Sequence, residues 1–385
     1  MSGAISTALL DTKVEIVGPY DKITSDDGWV SFSRLPLWTW KQFGVSGLHR
    51  WTRFPSGVRL RFNTAASTIS LEVHVMPLTI AKLIEEPKVA RFDLVINGRE
   101  TQTQAATKGG QIRLEMDGPL VTSEEFIRGA GEEITFTNLG TEVKEIEIWL
   151  PAGAMVEVRK ISADSAILAP TPSDAKKWVH YGSSISQCAE TDRPLDIWSV
   201  HASRLLGLDI RNLGLAGEAH VDGFAARTIA ATSADFISLK LGINVVNGDS
   251  MRERTFIPAI HNFLDTIREK QPTTPILVIS PIYCPFHEEN PGPTLIGDSG
   301  LTSMVRPPAL AAGALNLPKI REILERIVHE RADANLYFMS GLELFNEGDV
   351  ALMPDLLHPN SEGYRLMGER FAAIQRGFLN KVLAR

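Results

Sequence analysis

The N-terminal part of the chain alternates apolar and polar positions with a period of two. The pattern is clear over 58–63, 71–76 and 145–150. Each run has one apolar and one polar face, which is typical of antiparallel strands packed on one side. Asn97-Gly98 directly follows the apolar run 92–96, and this pair favours a type I′ hairpin turn. We therefore predict an all-β sandwich over residues 1–165.

The period changes after a stretch rich in Ala, Ser and Pro, which we interpret as a linker over residues 166–176. Beyond it, short apolar strands alternate with helical patterns; the predicted strands lie near 177–181, 208–213, 236–241, 276–279 and 336–338. Apolar residues at helical spacing, such as Ile260, Phe263, Leu264 and Ile267, mark the helices. Strand–helix alternation predicts a parallel sheet covered on both faces, so the fold class is an all-β sandwich followed by a three-layer α/β domain over 177–385.

Four short motifs lie at predicted strand ends or before the last helix. In a parallel sheet the carboxyl ends of the strands meet at one edge, where ligands bind. The motifs are Tyr181-Gly182-Ser183-Ser184-Ile185, Asn212-Leu213-Gly214-Leu215-Ala216-Gly217, Gly242-Ile243-Asn244 and Asp355-Leu356-Leu357-His358.

These motifs contain every group that acyl transfer through a serine requires. We predict Ser184 as the nucleophile, His358 as the general base and then general acid, and Asp355 as the carboxylate that orients the imidazole. The oxyanion donors would be the backbone N–H groups of Ser184 and Gly217 and the side-chain amide of Asn244.

The ordered set resembles the signature of the SGNH (GDSL-type) hydrolase family over roughly 176–385. Ser184, Gly217, Asn244 and His358 stand at the four positions that give the family its name. Ser183 replaces the usual Asp before the nucleophile, which leaves Ser183 as a second, minor candidate. The resemblance implies a flavodoxin-like fold, and it extends to two-domain members with an N-terminal β-sandwich. That branch includes carbohydrate esterases and natural-product acyltransferases that use a CoA thioester.

Other motifs in the chain predict no second site. Gly248-Asp249-Ser250 imitates a GDSL motif, but it follows Gly242-Ile243-Asn244 without an intervening strand, so we interpret it as a polar turn. The histidines lack the spacing of metal ligands, although His220, close after Gly217, could line a pocket. With no phosphate-binding or dinucleotide motif, we expect neither a metal nor a cofactor.

The composition and charge of the chain narrow the range of possible binding partners further. The formal net charge is -7, which argues against nucleic acid and anionic membrane surfaces as partners. Cys188 and Cys284 are the two cysteines, so a disulfide framework is excluded and reduced thiols are expected. The sequence starts with neither a signal-peptide pattern nor a long apolar run, and we therefore expect a cytoplasmic protein.

Several functional questions stay open at this point. The proline-rich stretch 281–313 could form a wall or lid of the substrate pocket, or be a solvated insertion. Trp38 and Trp40 could stack on a substrate or belong to a domain interface. We expect an esterase or acyltransferase that moves an acyl group, with acyl-CoA as one candidate donor, to water or to a hydroxyl of a small metabolite. The alternatives are a carbohydrate O-acyl esterase and an inactive protein that binds ligands through its sandwich.

Overall fold

Two antiparallel sheets build the N-terminal half of the computed structural model, which describes residues 5–44, 47–117, 120–297 and 300–384. The strands are β1 (Ile5–Ala8), β2 (Glu15–Val17), β3 (Asp21–Thr24), β4 (Val30–Ser33), β5 (Arg59–Thr64), β6 (Ile69–Ile80), β7 (Ala90–Ile96), β8 (Arg99–Ala106), β9 (Gln111–Asp117), β10 (Leu120–Ile127), β11 (Glu132–Phe136), β12 (Lys144–Trp149), β13 (Ala154–Ala163) and β14 (Ile167–Leu168). One sheet centres on β6 and β13, and the other on β5 and β12. A short helix, α1 (Leu48–Trp51), lies between β4 and β5.

The alternating pattern determines which residues meet between the two sheets. In β5 and β12, Leu60 pairs with Ile148 and Phe62 with Ile146, and all four side chains are buried in the core between the sheets. Asn97 and Gly98 both have positive φ, at 49° and 76°, in the turn between β7 and β8. These angles are the ones a type I′ turn requires.

One predicted polar face is covered rather than exposed. His74 and Met76 alternate with the inward residues of β6, yet they are only 1% and 5% exposed. Met76 packs in an apolar cluster that also contains Trp51 and Phe54 of the sandwich and Ala216 of the second domain. Residues of and after α1, together with Ala216, therefore cover the outer sheet face at Met76, and Trp29 and Glu157 pack against His74. Periodicity alone could not reveal these contacts.

The C-terminal half contains a five-stranded parallel sheet in the order β16-β15-β17-β18-β21. Its strands are β15 (Lys177–Gly182), β16 (Asp209–Gly214), β17 (Phe236–Lys240), β18 (Ile276–Ile279) and β21 (Leu336–Met339). This 2-1-3-4-5 order is flavodoxin-like. The fold class expected from the sequence is thus confirmed.

Helices cover both faces of this sheet and make it the middle of three layers. They are α2 (Ser184–Gln187), α3 (Trp198–Leu206), α4 (Gly223–Ala231), α5 (Ile243–Asn247), α6 (Glu253–Arg268), α7 (Pro285–Glu289), α8 (Pro308–Ala311), α9 (Leu317–Glu330) and α10 (Ser361–Leu383). The apolar stripes of α4, α6 and α9 share one core cluster, and those of α3 and α10 share another. Within the described parts of the chain, no helix is both long and apolar enough to cross a membrane.

Two segments without clear periodicity have local structure. In the stretch we predict as a linker, Ile167 and Leu168 pair with Thr64 and Asn63 and so extend the sandwich. The stretch 281–313 holds α7, a hairpin of β19 (Thr294–Gly297) and β20 (Gly300–Ser303), and α8. Elements this short span too few residues for a period to show.

Arg34 joins the sandwich to the α/β domain. Its side chain lies just beyond β4 and is completely buried, without a carboxylate partner among the described residues. The guanidinium donates instead to uncharged oxygens on both sides of the interface: the backbone carbonyls of Phe54 (2.5 Å), Trp51 (2.8 Å), Gly214 (2.6 Å) and Asn212 (3.2 Å), and Gln187 Oε1 (3.2 Å). Burial lowers the pKa of Arg34 to about 9.

Removal of this guanidinium should weaken the whole chain. Arg34→Met leaves buried carbonyls without donors, so we expect the free energy of unfolding to fall by about 3 kcal/mol. Urea unfolding followed by tryptophan fluorescence measures this loss. Arg99→Met, which removes an exposed arginine of β8, is the matched control and should change the value by less than about 0.5 kcal/mol. Equal losses in the two variants would contradict this role for Arg34.

Candidate active site

The predicted nucleophile lies where β15 turns into α2. Ser183 is the N-cap of this helix, and its hydroxyl accepts from the Ile185 backbone N–H at 3.3 Å. Ser184 is the first helical residue and is buried to 6% exposure. The helix ends after one turn at Cys188, whose φ of 57° reverses the chain. Ser183 thus has a capping contact, whereas Ser184 contacts the predicted base.

Ser184, His358 and Asp355 form a continuous hydrogen-bonded chain. Ser184 Oγ is 2.9 Å from His358 Nε2, and His358 Nδ1 is 2.7 Å from Asp355 Oδ2. The other carboxylate oxygen of Asp355 accepts from the backbone N–H groups of Leu357 (2.9 Å) and His358 (2.6 Å). Leu356, with φ of 62°, provides the turn that brings the carboxylate beneath its own histidine. This is the arrangement of a nucleophile, a base and an orienting acid.

Burial and charge act in opposite directions on these groups. Burial alone would lower the pKa of His358, but the negative charges of Glu190 and Asp355 and the hydrogen bond to Asp355 raise it to about 9. Burial would raise the pKa of Asp355, yet His358 and the two backbone donors lower it below its ordinary value. Asp355 therefore stays ionised, and the two carboxylates favour the protonated form of His358.

Asn244 supplies a buried amide donor without a partner. The residue is 1% exposed and lies in α5, directly after β17. Its Oδ1 accepts from the Ala219 backbone N–H at 3.0 Å, which leaves Nδ2 as the free end of the amide, with no hydrogen-bond partner among the described residues. Unpaired buried donors are rare and need an explanation, such as a ligand oxygen. Gly217 lies in the turn tied to Asn244, with φ of 72°.

The sandwich supports the backbone around the nucleophile. Ser56 donates to the Gln187 carbonyl at 2.6 Å, and Asn212 donates to the Ser186 carbonyl at 2.8 Å and to Ser56 at 2.9 Å. Gln187 Oε1, which Arg34 also contacts, accepts from the Ala216 backbone N–H at 3.0 Å. The helix that begins at Ser184 and the loop that leads to Gly217 are therefore fixed from the same side.

His220 and Ser250 form a second serine–histidine contact beside this loop. His220 Nδ1 is 2.8 Å from Ser250 Oγ, and its Nε2 is 3.0 Å from the Gly217 carbonyl. Because a carbonyl only accepts, Nε2 carries the proton and Nδ1 accepts from the serine. Ser250 thus donates to a histidine that supports the Gly217 turn, which fits the interpretation of residues 248–250 as a polar turn.

The stretch 281–313 is anchored next to the same turn. Arg306, 9% exposed at its side chain, forms an ion pair with Asp249, the neighbour of Ser250. Met304 and Val305 immediately before it are 48% and 79% exposed. An ion pair therefore fixes this segment beside the 248–250 turn, while Met304 and Val305 are exposed.

Trp38 and Trp40, the tryptophans considered for substrate contact, differ in exposure. Trp38 is 47% exposed, whereas Trp40 is half-buried and contacts His49 edge-on at 5.0 Å between ring centroids. Both cysteines are free and buried, and burial raises their thiol pKa values. Across the described ranges, no group of three or more His, Cys, Asp or Glu side chains could hold a metal ion.

Sequence reasoning missed the residues that support the site. Arg34, Gln187 and Glu190 lie outside the four motifs, and Tyr364 appears in the sequence only as part of an apolar helical stripe. The structure places the Tyr364 hydroxyl 2.9 Å from Glu190 Oε2, and Glu190 Oε1 lies 3.9 Å from His358 Nε2. The only feature of the sequence that could have indicated a role for Glu190 is its position soon after Ser184.

Comparisons with known proteins give the family and the fold that this chain resembles. Residues 175–285 match the model of the GDSL-like lipase/acylhydrolase family. No curated protein sequence matches the chain. Among solved structures, the chain is similar to the salicylyl-acyltransferase SsfX3 from a tetracycline biosynthetic pathway, with a TM-score of 0.79, 22% identity and 99% of each chain covered.

Two carbohydrate esterases of family two share the same architecture at lower identity. The enzyme from Clostridium thermocellum, solved with cellohexaose, has a TM-score of 0.58 and 13% identity, covering 95% of this chain and 99% of its own. The enzyme from Cellvibrio japonicus has a TM-score of 0.59 and 12% identity, covering 100% and 99%. At these identities the likeness is one of fold. Residues 175–285 are thus similar to the GDSL-like lipase/acylhydrolase family, and the whole chain has the fold of these two-domain structures, with a β-sandwich before an α/β domain.

Proposed function

We propose that this protein is a serine esterase or O-acyltransferase that works through an acyl-enzyme on Ser184. The observation that carries the proposal is the unbroken chain from Ser184 Oγ through His358 to Asp355, at 2.9 and 2.7 Å. An inactive binding protein would have no need of this geometry. The match to a GDSL-like lipase/acylhydrolase model over 175–285 supports the same reaction class.

The geometry defines how each residue acts. His358 Nε2 takes the hydroxyl proton of Ser184 as Oγ attacks the acyl carbon, and Asp355 stabilises the resulting imidazolium. The oxyanion of the tetrahedral intermediate is held by Asn244 Nδ2 and by the backbone N–H groups of Ser184 and Gly217. His358 then returns the proton to the leaving alcohol or thiol. In the second half, water or an acceptor hydroxyl gives its proton to His358 and attacks the acyl-serine. His358 then returns the proton to Ser184 Oγ as the bond from Oγ to the acyl carbon breaks.

We favour transfer to a hydroxyl of a small metabolite, with an acyl-CoA thioester as donor. The salicylyl-acyltransferase is similar over 99% of both chains, and this full-length likeness supports a transferase. Hydrolysis of O-acyl groups on carbohydrate is the alternative, which the family two carbohydrate esterases support. The free, buried thiols of Cys188 and Cys284 fit a cytoplasmic setting.

Covalent trapping tests the nucleophile. Wild type, Ser184→Ala, Ser183→Ala and Ser250→Ala are incubated with a panel of acyl-CoA thioesters and activated esters, and intact masses are recorded. We expect one acyl adduct on every protein except Ser184→Ala, because Ser183 caps a helix and Ser250 donates to His220. The donor that acylates fastest separates a transferase from an esterase. An adduct that persists on Ser184→Ala would overturn the proposal.

Loss of the unpaired amide should lower the rate of the chemical step. Asn244→Ala removes one oxyanion donor, and we expect kcat for an activated ester to fall roughly a hundred- to a thousand-fold with little change in KM. Asn247→Ala is the control, since that amide lies in the same helix and its Oδ1 accepts from Thr294 at 3.0 Å. Equal effects of the two substitutions would exclude Asn244 from the oxyanion hole.

The anchored loop should influence which acyl group is accepted. We propose that Met304 and Val305 form part of the pocket wall, so Val305→Trp should lower kcat/KM for long acyl chains relative to acetyl by about tenfold. Competition between acetyl and octanoyl p-nitrophenyl esters measures the ratio. Val143→Trp, at an exposed position in the sandwich, should leave the ratio unchanged. A solvated insertion would give the same ratio in both variants.

A further inference from the structure

The catalytic histidine has a second carboxylate beside it, on the side opposite to its usual partner. Asp355 contacts Nδ1, whereas Glu190 Oε1 lies 3.9 Å from Nε2, the nitrogen that faces Ser184. Within the described chain, these two carboxylates are the charged groups that act on His358. Since Ser184 Oγ already occupies the hydrogen-bonding position of Nε2, Glu190 lies beside the serine–histidine bond and does not compete for it.

Glu190 is held in place by contacts to the last helix. Its Oε2 accepts from the Tyr364 hydroxyl at 2.9 Å, and Tyr364 is completely buried. Two residues further on, the Asp192 backbone N–H donates to Ser361 Oγ at 2.7 Å. Directly after Glu190, Thr191 Oγ1 donates to the carbonyl of Cys188, at the end of α2, at 2.8 Å. The segment is therefore tied both to α2 and to α10, and the carboxylate stays close to the imidazole.

We propose that Glu190 is a positioning residue of the proposed acyl-transfer reaction: its carboxylate, fixed by Tyr364, stabilises the positive charge that appears on His358 when the imidazole takes the proton of Ser184. The proton moves from Ser184 Oγ to His358 Nε2 while Oγ bonds to the acyl carbon. The cation formed then lies between Asp355 and Glu190. An opposite charge at this distance favours the charged form of the imidazole.

The second carboxylate also has a disadvantage for catalysis, and this disadvantage can be measured. A histidine stabilised as a cation is also protonated more readily before substrate arrives, and a protonated His358 cannot accept the serine proton. The pKa of His358, raised to about 9 by Glu190 and Asp355 against the effect of burial, places this equilibrium on the alkaline side. The rate of Ser184 acylation should therefore rise with pH through that range in the wild type.

The other titratable groups near the pair are accounted for by their positions. Tyr364 comes from α10, Cys188 from the end of α2 and Cys284 from the residue before α7, and burial raises the pKa of each. All three are neutral where His358 titrates, so they do not compete with the two carboxylates for its charge.

The experiment measures the rate at which a fluorophosphonate labels Ser184 in the full-length protein between pH 5 and pH 10. Glu190→Gln removes the charge and keeps the shape, and we expect the midpoint of the profile to move about one pH unit lower. The rate at the plateau should fall in the same variant. Glu145→Gln, which removes a charge from β12 of the sandwich, is the matched control and should keep the wild-type midpoint.

Two further variants keep the test decisive. Glu190→Asp retains the charge at a greater distance and should restore part of the shift. Tyr364→Phe frees the carboxylate without removing it, and it should lower the midpoint by less than Glu190→Gln does. This second variant answers the question even if Glu190→Gln fails to fold, as circular dichroism would reveal.

The possible failures are distinguishable. If wild type is labelled at Ser184 and neither the Glu190 variants nor Tyr364→Phe shifts the midpoint, Glu190 has no effect on the histidine and this inference is wrong. If wild type is not labelled at Ser184 at any pH, the proposed function itself fails.

Discussion

A fully buried cation, Arg34, joins the two halves of this molecule at the base of the active site. Arg34 comes from the sandwich. Its guanidinium donates hydrogen bonds to carbonyls of its own domain, to Gln187 in α2 and to the carbonyl of Gly214 at the end of β16. Because its acceptors are neutral, the interaction is one of hydrogen-bond geometry more than of charge pairing. An arginine with five donors in a fixed plane can satisfy such a set, and a lysine cannot.

This interface defines what the sandwich does for catalysis. Ser56, Asn212 and Gln187 continue the contacts from Arg34 to the backbone just after Ser184 and just before Gly217. The apolar cluster of Trp51, Phe54 and Met76 with Ala216 excludes water from the same junction. Support of the loop that leads to Gly217 is thus a physical role of the sandwich that exists whether or not the domain also contacts substrate.

Much of the fold could be predicted from the chain because its signals are local. Period-two alternation identified the sandwich, Asn97-Gly98 identified a hairpin, and strand–helix alternation identified the parallel sheet. The motifs around Ser184, Asn244 and His358 could be found because each occupies a strand end or precedes a helix. The triad and the oxyanion donors nonetheless stay predictions until they are tested by substitution.

The rest could not be predicted because it depends on contacts between distant segments. Nothing around Arg34 in the sequence indicates that it reaches Gly214, and an isolated glutamate such as Glu190 has no pattern to distinguish it from a solvated one. The burial of His74 in a strand with an alternating pattern has the same origin, since Trp29 and Glu157, which are distant in the sequence, pack against it. Short elements in 281–313 escape detection because they are shorter than one period of the pattern.

The active site combines one local contact with one distant contact, and these must arise at different times as the chain folds. The Asp355–His358 pair needs only one turn of backbone around Leu356, so it can form early. The contact between His358 and Ser184 joins residues 174 positions apart and requires the five-stranded sheet to be complete. Loops of that length close late, because their entropy is repaid only when the surrounding strands are in place. The reactivity of Ser184 would therefore appear only at the last stage of folding. The time at which it appears during refolding would give the time at which the sheet becomes complete.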